Sequence, residues 1–570
     1  MTAPSPDDEQ AGAAPAAGAA VAPLDSLRAE LLAAAGELGA DGDAAAITLE
    51  RPRKAEFGDY STNAAMVLAP RAGSPPRELA ERLGAALAAR LGDSLERHEV
   101  AGPGFLNLFL SDSWLTGALT AVLRLGDSYG SGAADPRERI IVEFVSANPT
   151  GPMHVGHARN AAYGDAVSRM LSFHGHEVAR EFYVNDAGSQ VGKFGESIAA
   201  VARGGEAPED GYRGDYVSEL AAELPGASSA DPEELGARGV AVMVDRMRAT
   251  LTRLRVLPFD RWAFESELFA GDPSPVARAL GALEQSGATY TQDGALWLRT
   301  SDFGDDKDRV LLRSSGEHTY FASDIAYHQD KRERGFERQL DVWGADHHGY
   351  VQRLKAAYAA LGGDPDELEL LIMQFVHLVS GGERSQMSKR AGEFVTLEEL
   401  IEEIGVDAAR WYLLARSHDT TVEVDLALAR EQSNENPVYY VQYAHARIAS
   451  MLAKAAAEGA AAPSAGDGHD ADAAAAGPGQ PLDPSERALI EHLLAFPGEL
   501  AEAAERRAPH RLAAYALELA QAFTAFYRDC RVVGAGTDQL EGFRLALSRT
   551  AARTIATALG LLGVSAPEQM

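Results

Sequence analysis

The chain has 570 residues, a net charge of −32 and a single cysteine. This length exceeds what one hydrophobic core organises, so we expect three or more domains. One cysteine, Cys530, excludes an internal disulfide and a cysteine-based structural zinc site, and it favours a reducing compartment, the cytoplasm. No apolar run is long enough to cross a membrane, and we expect no membrane partner.

The first 111 residues predict a tail and a small domain. Residues 1–23 are rich in Ala, Pro and Gly and lack the basic start and apolar centre of a signal peptide, so we predict a disordered tail. Residues 24–111 combine two amphipathic helix patterns with two short strand patterns, which predicts an α+β domain. These patterns lie at Leu24–Leu38, Ala46–Leu49, Pro76–Leu91 and Phe105–Leu110.

A parallel α/β domain is predicted over residues 112–396. An apolar strand pattern, Ile140–Val145, precedes a helix pattern at His154–Phe173 and a second strand pattern at Glu177–Val184. A strand–helix–strand order gives parallel strands joined by a right-handed crossover. We expect residues 204–305 to form an insertion of mixed helix and loop. Strand patterns return after it, at Leu340–Trp343 and Leu370–Val379.

The remainder of the chain is predicted to be almost entirely helical. Thr396 begins a capping-box sequence, so a helix should start there. Residues 397–433 are predicted to be a connecting helical segment and residues 434–570 an α-helical domain. Within that domain, residues 455–484 contain almost no large apolar side chains, so we expect a flexible insertion.

The turn between the first strand and its helix carries a candidate phosphate site. His154 and His157 are three residues apart and share one face of the first helical turn. Backbone N–H groups at a helix N-terminus bind anions, so two imidazoles beside them suit the phosphates of a nucleotide. A metal-binding pair or a simple helix cap would give the same short pattern.

The residues around this pair resemble a known motif. The run from Ala147 to His157, with Glu143 before it, resembles the HIGH motif of class I aminoacyl-tRNA synthetases in its arginyl-tRNA synthetase form. The resemblance implies a multidomain α/β protein with a Rossmann-like parallel-sheet core between an N-terminal α+β domain and a C-terminal all-α bundle. It assigns ATP binding to His154, Gly156 and His157, and catalysis to the two histidines. The motif consists of Ala147, Asn148, Pro149, Thr150, Gly151, Pro152, Met153, His154, Val155, Gly156 and His157.

A second segment, Gln386–Gly392, resembles the KMSKS loop of the same enzymes. It departs from that pattern because Gln386 replaces the first lysine and Arg390 the final serine. A cation on a loop stabilises charge that develops at a phosphate during attack. The resemblance implies ATP binding by Met387, Ser388 and Lys389, with Lys389 catalytic. Considered alone, such a loop would simply be solvent-exposed.

Tyr320 and Asp324 share one face of a predicted helical turn. A guanidinium group is planar and always charged, and a carboxylate can accept two parallel hydrogen bonds from it. The pair would therefore suit an arginine substrate. Their spacing matches the arginine side-chain pocket of the family. The resemblance gives Glu143 to the α-ammonium group, Asn148 to the carboxylate or carbonyl, and His348 a further arginine contact. An ordinary surface aspartate is the alternative for Asp324.

Two regions are candidates for tRNA contact. The segment around Tyr439, Tyr443 and Arg447 resembles the start of the family's anticodon-binding domain, and interleaved aromatics can stack on unstacked bases. Tyr60 and Asn63 lie in a segment that resembles the family's extra N-terminal domain. Residues 505–553 are locally basic, which favours a phosphate-facing surface, although a mixed-charge helix face would read the same way.

The resemblance therefore implies ATP-dependent ligation of L-arginine to its cognate tRNA through an arginyl-adenylate. Its partners would be tRNA(Arg), L-arginine and ATP with bound Mg²⁺, and no other metal is expected. The family is usually monomeric, which implies a monomer. Another class I synthetase, or a non-catalytic tRNA-binding relative, is the alternative.

Overall fold

The computed structural model of the chain describes residues 22–39, 46–52, 54–380, 383–384, 395–458 and 467–570. The predicted tail therefore lies outside the described residues up to position 21. Two compact units are present: the first draws on residues up to 129, 447–496 and 521–554, and the second on 130–446, 497–520 and 555–570. No helix among the described residues has the length and apolar composition needed to cross a membrane.

The strands are β1 (Leu49–Glu50), β2 (Tyr60–Thr62), β3 (Leu95–Ala101), β4 (Phe105–Leu110), β5 (Arg139–Glu143), β6 (Glu177–Val184), β7 (Arg261–Phe264), β8 (Thr289–Gln292), β9 (Ala295–Leu298), β10 (Arg309–Leu312), β11 (Arg338–Gly344), β12 (Leu368–Met373), β13 (Val376–Ser380), β14 (Glu383–Arg384) and β15 (Val422–Asp425).

The helices are α1 (Pro23–Glu37), α2 (Ala64–Ala72), α3 (Pro76–Leu91), α4 (Asp112–Leu125), α5 (Val155–His174), α6 (Ser189–Ala202), α7 (Asp215–Glu223), α8 (Pro232–Arg253), α9 (Pro275–Gln285), α10 (Tyr320–Glu333), α11 (Val351–Ala360), α12 (Leu397–Ile404), α13 (Val406–Leu414), α14 (Leu426–Arg430), α15 (Pro437–Ala457), α16 (Asp467–Ala476), α17 (Pro484–Glu505), α18 (Pro509–Asp529) and α19 (Asp538–Leu561).

The first unit contains a four-stranded antiparallel sheet in the order β1–β2–β4–β3. Helices α1, α2 and α3 cover it because each presents an apolar stripe. In α1 the buried residues Leu27, Leu31 and Ala34 recur at helical spacing and join the same core as Leu106 and Leu108 of β4. The α+β fold predicted for this region is confirmed.

The second unit is organised by a five-stranded parallel sheet in the order β12–β11–β5–β6–β7. Its central strand β5 is buried on both faces, and Ile140, Ile141 and Val142 have no exposed surface. Such double burial explains a continuous apolar run without alternation. The predicted parallel α/β core is confirmed.

The expected insertion over 204–305 is only partly an insertion. Helices α7 and α8 lie there, but β7 pairs in parallel with β6 and is a strand of the central sheet. Strands β8 and β9 form an antiparallel sheet with β10. The sequence analysis missed β7 because four residues are too few to establish a period.

Two further expectations are corrected by the sheets. The strand predicted at Leu370–Val379 is two strands, since β12 belongs to the central sheet and β13 pairs with β14 and β15. The segment 397–433 is not purely helical, because β15 lies within it and pairs in parallel with β13. The helix predicted at the Thr396 capping box is confirmed as α12.

The flexible insertion expected over 455–484 is wrong for residues 467–476, which form α16. This helix packs against α4, and Ala471 and Ala474 are buried there. Large apolar side chains are not needed for this contact, because small side chains such as alanine let α16 and α4 approach closely. Arg549 of α19 also forms an ion pair with Asp470. Residues 459–466 lie outside the described part of the chain.

The basic stretch 505–553 is largely neutralised within the fold. Arg507 donates to Glu369, Arg511 to Glu499 and Glu502, and Arg544 to Glu486. These pairs are internal contacts, so the local excess of arginine does not by itself make a phosphate-facing surface. A count of charges along the sequence could not distinguish paired from unpaired arginines.

Candidate active site

The HIGH-like segment begins where β5 ends. Val145 and Ser146 both have positive φ, at 71° and 41°, which is uncommon for residues with a side chain and marks local strain. The Ser146 hydroxyl donates to Glu143 Oε1 at 2.8 Å, and the Tyr183 N–H donates to Ser146 Oγ at 3.1 Å. These two bonds hold the backbone in a conformation that it would otherwise leave.

His154 and His157 form a capping box at the start of α5. His154 Nδ1 accepts from the Gly156 N–H at 3.1 Å, and His157 Nδ1 accepts from the His154 N–H at 3.3 Å. Because each Nδ1 accepts, the proton of each ring is on Nε2. The helix-cap interpretation of this pair is therefore right in part, and it also leaves each ring with a fixed donor.

The two imidazole rings stack with centroids 3.8 Å apart. Burial lowers the pKa of both rings, and the neighbouring His154 helps bring that of His157 to about 3. Both rings are consequently neutral near pH 7 and act as donors rather than as cations. Neutral, oriented donors stabilise negative charge without a solvation shell to reorganise.

A cleft of about 730 Å³ opens beside this pair at the carboxyl ends of the central strands, where ligands bind in open α/β sheets. That volume lies within the range of small-molecule sites. Asn148 is exposed in its wall, as its predicted role requires. The cleft residues are Val145–Asn148, His154–His157, Asn160, Gly344–His347, Met373–Leu378 and Val395.

The segment that follows the KMSKS-like loop is joined to the HIGH-like segment by main-chain bonds. The Val155 N–H donates to the Val395 carbonyl at 3.1 Å, and the Leu397 N–H donates to the Met153 carbonyl at 2.8 Å. The start of α12 and the residue before its cap therefore lie against the HIGH-like segment. Met387, Ser388 and Lys389 themselves lie outside the described residues.

The pair predicted to receive a guanidinium group stands at the start of α10. Tyr320 is the first residue of the helix and is 57% exposed, with its hydroxyl near Gly188. Asp324 lies one turn further, where its Oδ2 accepts from the Tyr350 hydroxyl at 2.5 Å. Burial raises the pKa of Asp324, while the bond from Tyr350 acts against that shift.

Glu265 is a site residue that the sequence analysis did not find. It follows β7, is 5% exposed, and its Oε2 has no hydrogen-bond partner in the described part of the chain. Burial, together with the charges of Asp324 and Asp186, raises the pKa of Glu265 to about 7. Ser323 supplies one hydrogen bond to this side chain, and the buried Oε2 can still accept from a donor that enters the site. Recognition of β7 in the sequence would have drawn attention to Glu265, because Glu265 directly follows that strand.

Aromatic side chains link Asp324 to the wall of the nucleotide-sized cleft. The Tyr350 hydroxyl donates to Asp324, and His347 lines the cleft. Trp343 lies between them, because its ring contacts both His347 and Tyr350 at centroid distances of 5.7 and 6.0 Å.

Two predicted arginine contacts are placed differently from expectation. Glu143 is buried and absent from the cleft wall, and its two oxygens accept from Ser146 and Lys331. These two bonds fix the Glu143 carboxylate beside the turn at Ser146, and its contact with an α-ammonium group stays a prediction. His348 is exposed and does not line the cleft, whereas its neighbour His347 does.

The tRNA contacts predicted in the N-terminal domain make contacts inside the protein instead. Tyr60 is 4% exposed and packs edge-on against Trp114, so it is a core residue and the prediction for it is wrong. Asn63 is used internally, because its side chain accepts from the Thr48 N–H and donates to the Ala46 carbonyl.

The predicted contacts on α15 are better placed for a partner. Tyr439 and Tyr443 stack at a centroid distance of 6.0 Å, and Tyr443 is exposed. The Arg447 guanidinium lies over the Tyr527 ring, 5.3 Å from its centroid. Contact of these residues with tRNA stays a prediction.

Comparisons with known proteins agree with this geometry. Family models match for the arginyl-tRNA synthetase N-terminal domain at residues 25–110, the class I (R) tRNA synthetase catalytic domain at 118–206 and 267–449, and the DALR anticodon-binding domain at 441–570. The parallel sheet with its histidine pair is thus that of a class I aminoacyl-tRNA synthetase. An arginine–tRNA ligase of Geobacillus thermodenitrificans is 44% identical over 564 residues, which are 96% of this chain and 99% of that protein. The chain belongs to the arginyl-tRNA synthetase family.

Solved structures give the same result. The arginyl-tRNA synthetase of Thermus thermophilus is 26% identical, with a TM-score of 0.74 over 96% of this chain and 100% of that one. A Campylobacter jejuni structure assigned to the same family is 34% identical, with a TM-score of 0.73 over 81% of this chain and 100% of its own.

Proposed function

We propose that the chain attaches L-arginine to tRNA(Arg) in two steps within the cleft and pocket described above. In the first, an oxygen of the arginine carboxylate attacks the α-phosphorus of ATP, and pyrophosphate leaves to give arginyl-adenylate. In the second, a hydroxyl of the terminal tRNA ribose attacks the arginyl carbonyl and AMP leaves. The link from Asp324 through Tyr350 and Trp343 to the cleft wall is the observation that carries this proposal, since it places a carboxylate beside a nucleotide-sized cleft.

ATP is proposed to bind across the N-terminus of α5. The Nε2–H groups of His154 and His157 would donate to phosphate oxygens, and Gly156, which lines the cleft and leaves room for the His154 ring, would lie beside the nucleotide. Met387, Ser388 and Lys389 retain the role implied by their motif, with Lys389 countering charge on the departing pyrophosphate. Mg²⁺ is proposed as the ion that the phosphates of ATP carry.

Arginine is proposed to place its guanidinium group between Asp324 and Glu265, with Tyr320 over the entrance. A cation between these two carboxylates would relieve their mutual repulsion and supply the partner that Glu265 Oε2 lacks. Asn148 would then hold the carboxylate end of the substrate in the cleft. Glu143 supports the turn that carries Asn148.

The deciding assay is tRNA-stimulated ATP–pyrophosphate exchange with arginine, lysine and citrulline. Arginine should support exchange strongly, because only its fork of donors pairs with both carboxylates. Citrulline, its neutral isostere, should support almost none, and lysine little. Equal exchange with lysine or citrulline, or none with arginine, would contradict the proposed substrate.

Part of the tRNA is proposed to contact the first unit at a cavity of about 500 Å³. Phe57 and Phe105, both lining the cavity, are 41% and 40% exposed, and Arg51 lies in the same wall. Exposed rings beside a cation suit an unstacked base. The stacked tyrosines of α15 are proposed as a second contact. We further propose that the enzyme acts as a monomer in the cytoplasm.

Phe105→Ala is expected to raise the KM for tRNA by about 10- to 100-fold, because stacking on one base contributes roughly 1–3 kcal/mol. The KM values for arginine and ATP should stay unchanged. Phe303→Ala removes an equally exposed ring that is not in this cavity and serves as the control. If both variants aminoacylate tRNA with the same KM, the cavity is not a tRNA contact.

A further inference from the structure

Four charged side chains form a buried cluster next to the Asp324 pocket. Glu143 comes from β5, His328 and Lys331 from α10, and Asp341 from β11, and all four are almost fully excluded from solvent. Lys331 Nζ donates to Glu143 Oε2 at 2.5 Å and to Asp341 Oδ1 at 2.8 Å. Charges this deep persist only when each has a partner of opposite sign.

His328 has an acceptor on each side of its ring. Its Nε2 lies 2.7 Å from Asp341 Oδ2, and its Nδ1 lies 2.7 Å from the main-chain carbonyl oxygen of Asp324. A carbonyl oxygen can only accept, so Nδ1 must carry a proton. An ionised carboxylate can only accept as well, so Nε2 must carry the second proton if Asp341 is ionised.

Asp341 is ionised because of its other contacts. Burial on its own raises a carboxyl pKa, but the Lys331 ammonium group beside Asp341 acts against it, and the pKa of this carboxyl lies below its usual value. Its Oδ1 accepts from the Lys331 ammonium group. This hydrogen bond is stronger when the carboxyl group is ionised than when it is neutral. The cluster is therefore two carboxylates and two cations, and His328 is an imidazolium.

We propose that His328 is a positioning residue for arginine recognition, because its imidazolium lies one helical turn from Asp324 and keeps that carboxylate ionised and oriented toward the guanidinium group. This inference rests on the proposed function, in which Asp324 binds the substrate side chain. His328 contacts no substrate in this arrangement and acts only through Asp324.

A cation is needed at this point because the pocket is crowded with negative charge. Burial and the charges of Asp324 and Asp186 raise the pKa of Glu265, and burial also raises the pKa of Asp324 itself, so Asp324 tends to take up a proton unless positive charge lies nearby. A protonated Asp324 would offer a guanidinium group one acceptor and no charge. His347 and the Tyr350 hydroxyl favour its ionised form from the cleft side, and His328 does so from the interior.

The titratable groups around these two residues come from several elements. Those around His328 are Asp341 from β11, Glu143 from β5, and Tyr327 and Lys331 from α10. Those around Asp324 are Tyr183 from β6, Asp186 from the turn after it, Glu265 from the segment after β7, and His347 and Tyr350 from the segment before α11.

His328→Gln tests the inference, since glutamine can keep a bond to Asp341 but carries no charge. With the imidazolium gone, Asp324 should protonate at a higher pH. The KM for arginine should therefore rise about tenfold at pH 7, rise further at pH 6 and recover toward pH 9. The KM for ATP should change by less than about twofold at each pH.

Tyr327→Phe is the matched control. It removes a hydroxyl on the same helix that is equally buried and donates to Glu181 at 2.7 Å, but it leaves the charge beside Asp324 intact. A merely structural effect would shift both variants alike and would not depend on pH. An arginine KM that is unchanged in His328→Gln, or that changes equally in Tyr327→Phe, would overturn the inference.

A second measurement starts from the unmodified protein. Full-length protein with ¹⁵N-labelled histidine should show one imidazole with both nitrogens protonated at pH 8, and His328→Gln should remove that signal. A wild-type spectrum in which every ring has an unprotonated nitrogen at pH 8 would overturn the inference. If Asp324→Asn abolishes arginine use while His328→Gln does not alter it, only this inference fails; if neither does, the proposed pocket itself fails.

Discussion

Asp324→Asn is expected to raise the KM for arginine by about 10²- to 10³-fold while leaving the KM for ATP within a few-fold of its normal value. Asparagine keeps the size of the side chain and an acceptor for the Tyr350 hydroxyl, but it removes the charge opposite the guanidinium group. Deleting one partner of a desolvated charge pair costs about 2–5 kcal/mol, which corresponds to such a factor. ATP–pyrophosphate exchange in the presence of tRNA measures both constants.

Glu333→Gln provides the comparison for this experiment. Glu333 lies on the same helix and pairs with Arg278 at 3.5 Å on the surface, where an ion pair contributes little. Its KM for arginine should match that of the unmodified protein. Parallel increases in the KM for arginine and for ATP after Asp324→Asn would show that the residue is not in the side-chain pocket.

His154→Asn and His157→Asn are each expected to lower the kcat of exchange by about 10²- to 10³-fold, with little change in the KM for arginine. The Oδ1 of asparagine takes the place of Nδ1 and can accept the same backbone N–H, so the helix cap survives. What is lost is the Nε2–H donor, and removal of one preorganised donor costs about that factor in kcat.

The exposed neighbour of the cleft, His348, supplies a histidine control. His348→Asn should leave kcat and both KM values unchanged, because the side chain does not line the cleft. Since burial and His154 hold the pKa of His157 near 3, the His157 donor stays neutral from pH 6 to pH 9. Asparagine variants that retain normal kcat would show that the histidines serve only as a cap.

The parts of the site that could be predicted from sequence are those where a local rule governs the backbone. The turn before α5 and the start of α10 follow from strand–turn–helix order and i, i+4 spacing. Both histidines and the pair Tyr320 and Asp324 consequently lie at helix starts, as expected. The capping box at Thr396 is equally local, and it too is present.

The parts that escaped prediction depend on contacts distant in sequence. Glu265 could not be found because β7 has only four residues, and its membership in the sheet depends on β6, which lies about 80 residues earlier. The spacing around Tyr60 does not reveal that Trp114 covers its ring. The partners of Glu143 were equally hidden, because Lys331 reaches it from 188 residues further along the chain.

The strand order of the four-stranded antiparallel sheet and of the five-stranded parallel sheet determines when each sheet can be completed as the chain leaves the ribosome. All four strands of the antiparallel sheet lie before residue 111, so that sheet has all its members early in synthesis. The central strand β5 has one neighbour once β6 has emerged, but it lacks the other until β11 ends at Gly344. For about 160 residues of synthesis one edge of β5 is therefore open, a state in which an apolar strand is prone to pair with other chains.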